Sequence, residues 1–209
     1  MSLIFGLLIE EEKDLKKLYI SFAVLLVFGI GLGVYYLQVI RPGSAELPDN
    51  VVMETIFDED YAFRDMPKKA RLIEFMYTNC PDVCPTTTLE MSKLRHELEE
   101  EGVFGDDIEF ITITINPRDD TQEVLKDYAS RFEVDSPDDG WVFLRSSEED
   151  TQEVADALGF LYRDPGTGDI IHSTFTYFLD ENNNLLEKFA MGNGFDKDKV
   201  YKRIMSTIN

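Results

Sequence analysis

Hydrophobic and polar positions divide this chain into two parts. The first holds an unbroken apolar stretch, LYISFAVLLVFGIGLGVYYLQVI from Leu18 to Ile40, 23 residues without a charge. That length lets one α-helix cross the hydrocarbon core of a bilayer with every backbone group bonded internally. Gly29, Gly31 and Gly33 would weaken a helix in water but are ordinary in membrane helices, and Tyr19, Tyr35 and Tyr36 lie near its ends, where amphipathic rings favour the interface. The pattern predicts a short segment at 1–17, a transmembrane helix at 18–40, a linker at 41–50 carrying Pro42, Gly43 and Pro48, and a folded domain at 51–209.

Beyond the linker the pattern alternates between short apolar runs and helical spacings. Arg71–Tyr77 reads as a buried strand that meets a turn at Thr78–Pro81. A helix follows from about Pro85 to Gly102, with Leu89, Leu94 and Leu98 as its apolar stripe. Ile108–Ile115 and Trp141–Leu144 read as further strands, and Thr121–Phe132 and Glu148–Leu158 as helices, the former with apolar positions at Val124, Leu125, Tyr128 and Phe132. Thr174–Leu179 and Leu185–Phe189 flank the turn Glu181–Asn184, and Asp196–Thr207 closes the chain as a helix. This order describes an α/β domain, a mixed sheet with helices on both faces. In such sheets sites gather at the carboxyl ends of the strands, which singles out the turn after Arg71–Tyr77.

Charge narrows the function. The formal net charge is −21, and a surface that acidic is repelled by phosphate backbones, which excludes nucleic-acid binding. Lys13, Lys16 and Lys17 precede the apolar stretch closely, whereas only Arg41 follows it closely. The positive-inside bias then leaves the N-terminus in the cytoplasm and the domain outside, as a single-pass protein of a bacterial plasma membrane.

Two cysteines are present, and both fall in Cys80-Pro-Asp-Val-Cys84. A disulfide framework would scatter more of them, so the pair reads as a site. Four residues apart at a helix start, the two sulfurs lie on one face, within reach of a disulfide or of one metal ion. A helix N-terminus also favours the thiolate. Two thiolates select soft metals, copper among them. Of the two histidines, His96 lies in a polar helical stretch and reads as solvent-exposed, while His172 precedes the strand Phe175–Leu179 and is a candidate third ligand.

Three segments together resemble the SCO/SenC family of copper-handling proteins. They are Tyr77-Thr78-Asn79-Cys80-Pro81-Asp82-Val83-Cys84-Pro85, Ile115-Asn116-Pro117-Arg118-Asp119-Asp120-Thr121 and His172-Ser173-Thr174-Phe175-Thr176-Tyr177. The resemblance implies a thioredoxin-like fold and copper held by Cys80, Cys84 and His172. It also implies a part in maturing the binuclear copper site of cytochrome c oxidase subunit II, as copper donor, thiol reductant or both. Other copper chaperones or thiol reductants would then be further partners. A role as assembly factor, and not as turnover enzyme, is the expectation. A general extracytoplasmic thiol–disulfide oxidoreductase is the alternative, weakened because its usual pair is C-x-x-C. A peroxidase-like use of Cys80 with Cys84 as resolving thiol is a third reading. Many members of the family carry an acid where Asn116 stands, and Asp119 and Asp120 read as exposed loop or cap residues.

Overall fold

The computed structural model describes the backbone of residues 2–35 and 47–208 and, within the first of these, the side chains of residues 16, 17 and 19–34. The chain divides between residues 42 and 43 into two compact units. The first is a helix of 34 residues, α1 (Ser2–Tyr35). Its apolar side chains from Tyr19 to Val34 stand exposed all round. Among the described residues no helix is long and apolar enough to cross a membrane. Residues 36–40 of the expected span lie outside the described residues, and the remainder of it is helical throughout.

The second unit is built on a seven-stranded sheet. Its elements run β1 (Val52–Thr55), β2 (Asp60–Ala62), β3 (Ala70–Met76), α2 (Val83–Glu100), β4 (Ile108–Thr114), α3 (Gln122–Ser130), β5 (Trp141–Arg145), α4 (Glu148–Leu158), β6 (Tyr162–Arg163), β7 (Ile171–His172), β8 (Phe175–Leu179), β9 (Leu185–Ala190) and α5 (Lys197–Ile208). Strand order is β2-β1-β5-β4-β3-β8-β9, and β6 and β7 form a separate two-stranded ribbon. The central trio β3, β4 and β5 is parallel, and β1 and β8 flank it antiparallel. Both β3 and β4 are buried at every position, as strands covered on both faces must be. The mixed α/β sheet is therefore as the pattern predicts.

Side-chain alternation shows which helices lie on which face. Glu74 of β3 meets Thr88 of α2, and Thr88 in turn meets Tyr128 of α3. Phe75 points the other way and stacks on Phe160, the second residue after α4, with ring centroids 4.4 Å apart. Helices α2 and α3 thus cover one face, and the α4 segment covers the other.

The inward face of α2 carries Cys84, Thr87, Thr88, Met91, Leu94 and Leu98. Leu89, expected on that stripe, is 48% exposed, because its five-residue offset from Leu94 turns it off the face. Val124 on α3 is likewise exposed, while Leu125 and Tyr128 are buried. Helix α2 starts two residues before Pro85, which occupies the third helical position, where its missing N–H removes no intrahelical bond. The β1–β2 hairpin and the β6–β7 ribbon have no counterpart in the sequence reading. Strands of two to four residues carry too little pattern to register alone and depend on their partners.

The turn after β9 braces the start of α2. Gly192 has φ +62°, and its N–H donates to Thr87 Oγ1 at 2.8 Å. A Cβ at this position would come within 3.1 Å of Val83 Cγ1. Gly192→Ala should therefore destabilise the domain by about 1–2 kcal/mol, the usual cost of left-handed backbone with a side chain. A fall in the urea midpoint at unchanged slope checks it.

Candidate metal centre

At the carboxyl end of β3 the chain turns through Tyr77–Asp82 and enters α2. This turn carries Cys80, and the second helical residue is Cys84. The β6–β7 ribbon brings His172 to the same point. Sulfur and imidazole donor atoms of Cys80, Cys84 and His172 all lie within 4.8 Å of one another, and both thiols are free. Cys80 is 7% exposed and Cys84 fully buried. A shallow opening lined by Tyr77, Pro81, Asp82, Val83 and Asp169 leads to Cys80 and His172.

The two sulfurs divide one proton unequally. Cys80 is held far below the ordinary thiol range, first by a hydrogen bond from Cys84, then by His172 and by the backbone N–H groups of Asp82 and Cys84, against the opposing effect of burial. Asp82 makes no side-chain cap to α2, so the anionic sulfur takes the place a cap would fill. Cys84 is pushed up by the same shared hydrogen bond and by burial, and so keeps its proton.

His172 is raised by its bond to Cys80, with burial working against it. Its Nδ1 lies 2.7 Å from the Ser173 carbonyl, which can only accept, so Nδ1 carries hydrogen and Nε2 is the nitrogen left for the sulfurs. Phe160 stacks on the ring, and Tyr77 meets it edge-on at 6.0 Å. The imidazole is thus oriented before any metal arrives. Two thiolates and one neutral imidazole suit a soft ion in three-coordinate geometry, and this donor set fits copper.

His96 is half exposed on α2, against Glu99 and Glu133, and takes no part in the centre. Asn116 is half-buried, its amide donating to Asp119, and it is not among the clustered donors. Asp119 is exposed as expected, but Asp120 is not: it is completely buried, and Thr121 caps α3 instead. The Asp120 carboxylate accepts from the backbone N–H of Thr78 at 3.1 Å and from the hydroxyls of Thr78 and Thr114. It therefore ties the residue that opens the cysteine turn to the end of β4. An acid beside another in a loop sequence carries no sign of this; only the fold brings the loop back under Thr78. Glu74 gave a better signal, as an acid set among Leu72, Ile73, Phe75 and Met76 of a buried strand.

Two outcomes follow. Removing His172 or Cys84 (His172→Ala, Cys84→Ser) should each move the Cys80 titration upward toward the ordinary thiol range, read as thiolate absorbance against pH. Asp120→Ala should cost about 1–3 kcal/mol in urea unfolding, because it leaves a buried N–H and a buried hydroxyl unpaired, and Asp120→Asn should cost less.

Comparisons with known proteins agree with this geometry. Residues 57–209 match the profile of the SCO1/SenC family. An SCO2-like protein of Rickettsia typhi is 36% identical over 126 residues, covering 57% of this chain and 58% of the relative. The match thus spans rather more than half the length of that relative. A SCO1/SenC family lipoprotein from Bacillus anthracis superposes with TM-score 0.68 at 25% identity, over 76% of this chain and 93% of that one. Arabidopsis thaliana ScoI, solved with copper bound, shares the fold at TM-score 0.64 and 20% identity, over 75% of this chain and 94% of that one. The sheet, the flanking helices and the position of the cysteine turn are those of a thioredoxin-like domain. The matched profile spans the cysteine turn, the buried Asp120 and the His172 ribbon together, and on that ground the chain belongs to the SCO1/SenC family.

Proposed function

We propose that the domain binds one copper ion through Cys80, Cys84 and His172 and serves in the assembly of cytochrome c oxidase, delivering copper to the binuclear copper site of subunit II or reducing that site's cysteines to thiols. The convergence of three soft donors within 4.8 Å carries this reading. Copper is here a cargo. Cys80 meets it as a ready thiolate, and Cys84 gives up a proton as it ligates, so affinity rises with pH. Closing Cys80 and Cys84 into a disulfide removes both anionic ligands at once, which makes the redox state of the pair the gate on metal occupancy.

Attachment to a membrane would fit the same role. The uncharged stretch 18–40 would hold the domain at the outer face of a bacterial plasma membrane, near a membrane-embedded oxidase. The Bacillus anthracis neighbour is a lipoprotein. Copper chaperones or thiol reductants of the same compartment would load and reduce the centre.

A second reading has one observation in its favour. The thiolate of Cys80 beside a protonated Cys84 is the asymmetry of an attacking and a resolving thiol, as a thiol–disulfide oxidoreductase needs. A disulfide reductase assay separates the two, since in that role Cys84→Ala should trap the mixed disulfide.

The direct test is an anaerobic copper titration of the domain, reduced and oxidised, with Cys80→Ser and His172→Ala. Stoichiometric binding should occur in the reduced wild type alone. His172→Ala should weaken the site and alter its spectrum while leaving disulfide formation intact. Equal binding by oxidised protein would refute the gate, and an unchanged His172→Ala spectrum would refute the third ligand.

A further inference from the structure

The β6–β7 ribbon that carries His172 has a second face. Register pairs Tyr162 with His172 and Arg163 with Ile171, and Leu161 exchanges hydrogen bonds with Ser173. Alternation therefore sorts the side chains. Phe160, Tyr162 and His172 turn inward, the Phe160 ring lying 6.0 Å from that of Tyr162 and 5.9 Å from the imidazole. Leu161, Arg163, Ile171 and Ser173 turn outward. Leu161 is 70% exposed and Ile171 57%, more than any other leucine, isoleucine, valine or phenylalanine described in residues 47–208. The two sit diagonally across the ribbon, where Cβ atoms stand about 7–8 Å apart, and so form one patch. Phe175, two residues past Ser173 at the start of β8, is exposed as well.

Charge around the patch selects what can cover it. Asp82 and Asp169 line the opening to Cys80 and His172, and Asp164 stands exposed just past β6. Arg163 is the one lysine or arginine between Phe160 and Phe175. The rim is thus net acidic, on a chain of net charge −21, and repels both anionic lipid headgroups and another copy of the chain. Two or three apolar side chains also bury far less than the roughly 1,200 Å² at which stable interfaces begin, which again disfavours a lasting pair of copies. A protein with an apolar centre and a rim of lysine or arginine is complementary on both counts. A contact that small is transient, as the handover of a metal ion requires.

We propose that the outer face of the ribbon, Leu161 and Ile171 with Asp82, Asp164 and Asp169 about them, docks the protein that exchanges copper with this domain, and that this partner presents an apolar side chain ringed by basic residues. The inference rests on the copper-transfer role proposed above. A partner seated there lies on the reverse of the strand that bears His172, beside the opening to Cys80. Apolar contact then supplies the hold, and the acidic rim supplies the approach and the orientation.

The test pairs the full-length chain, copper-loaded and in detergent, with the soluble copper domain of cytochrome c oxidase subunit II. Replacing both anchors (Leu161→Thr with Ile171→Thr, which keeps strand-forming residues) should weaken association by about tenfold or more. Copper stoichiometry and the copper spectrum should stay as in the wild type. Asp164→Asn, which keeps an acceptor for the Gly166 N–H, combined with Asp169→Asn should slow association several-fold at low salt and match the wild type at high salt. Association unchanged by the threonine pair would overturn the docking face and leave the copper role standing. A rate indifferent to salt and to the asparagine pair would overturn the basic rim. Self-association that the threonine pair abolishes in sedimentation, with the subunit II domain bound as before, would make the face a contact between copies and overturn the proposal. No association by a wild type that still binds copper would overturn subunit II as the target, and this docking with it.

Discussion

A single negative charge on the Cys80 sulfur organises the centre. It is stable because the sulfur sits at the mouth of α2, where backbone N–H groups have no partners of their own, and because Cys84 and His172 both point hydrogen at it. Each of these depends on a different part of the fold. The start of α2 is set by the end of β3 and braced by the Gly192 turn. His172 arrives on a ribbon inserted between α4 and β8, and its ring is held by Phe160, which itself stacks on the central strand through Phe75. Two stretches of chain far apart in sequence, the turn from Cys80 to Cys84 and the ribbon bearing His172, thus meet at one atom.

Two buried carboxyls flank this arrangement and are treated differently by their surroundings. Asp120 receives a backbone N–H as well as hydroxyls, and works as a clamp between the cysteine turn and the end of β4. Glu74 receives hydroxyls only, in a pocket of apolar and anionic neighbours, and is left with a raised affinity for protons. The first is suited to holding geometry.

Much of this was legible along the chain. The apolar stretch at 18–40, the alternation of strands and helices, the cysteine spacing and the candidacy of His172 are all local: each depends on residues within a few positions of one another, and period or spacing reports them directly. The hairpin β1–β2 and the ribbon β6–β7 were not legible, because strands so short exist only through pairing with distant partners. Leu89 and Val124 were misread as inward-facing for a related reason: apolar residues near a helical stripe are indistinguishable from it until the helix is rotated against its sheet.

The residues that surround the centre divide along the same line. By itself the sequence determined that two thiols four residues apart stand at a strand–turn–helix junction, because the backbone geometry of a helix start brings such positions together whatever the rest of the chain does. Only the tertiary structure decided that His172, 88 residues beyond Cys84, completes the donor set, that Asp120 lies under Thr78, and that Glu74 lies beneath Cys84. Those are contacts between segments far apart in the chain, made by the crossover of β3, α2 and β4 and by the return of the chain along β8. No spacing rule encodes them, since the distance along the backbone sets no limit on the distance through the core.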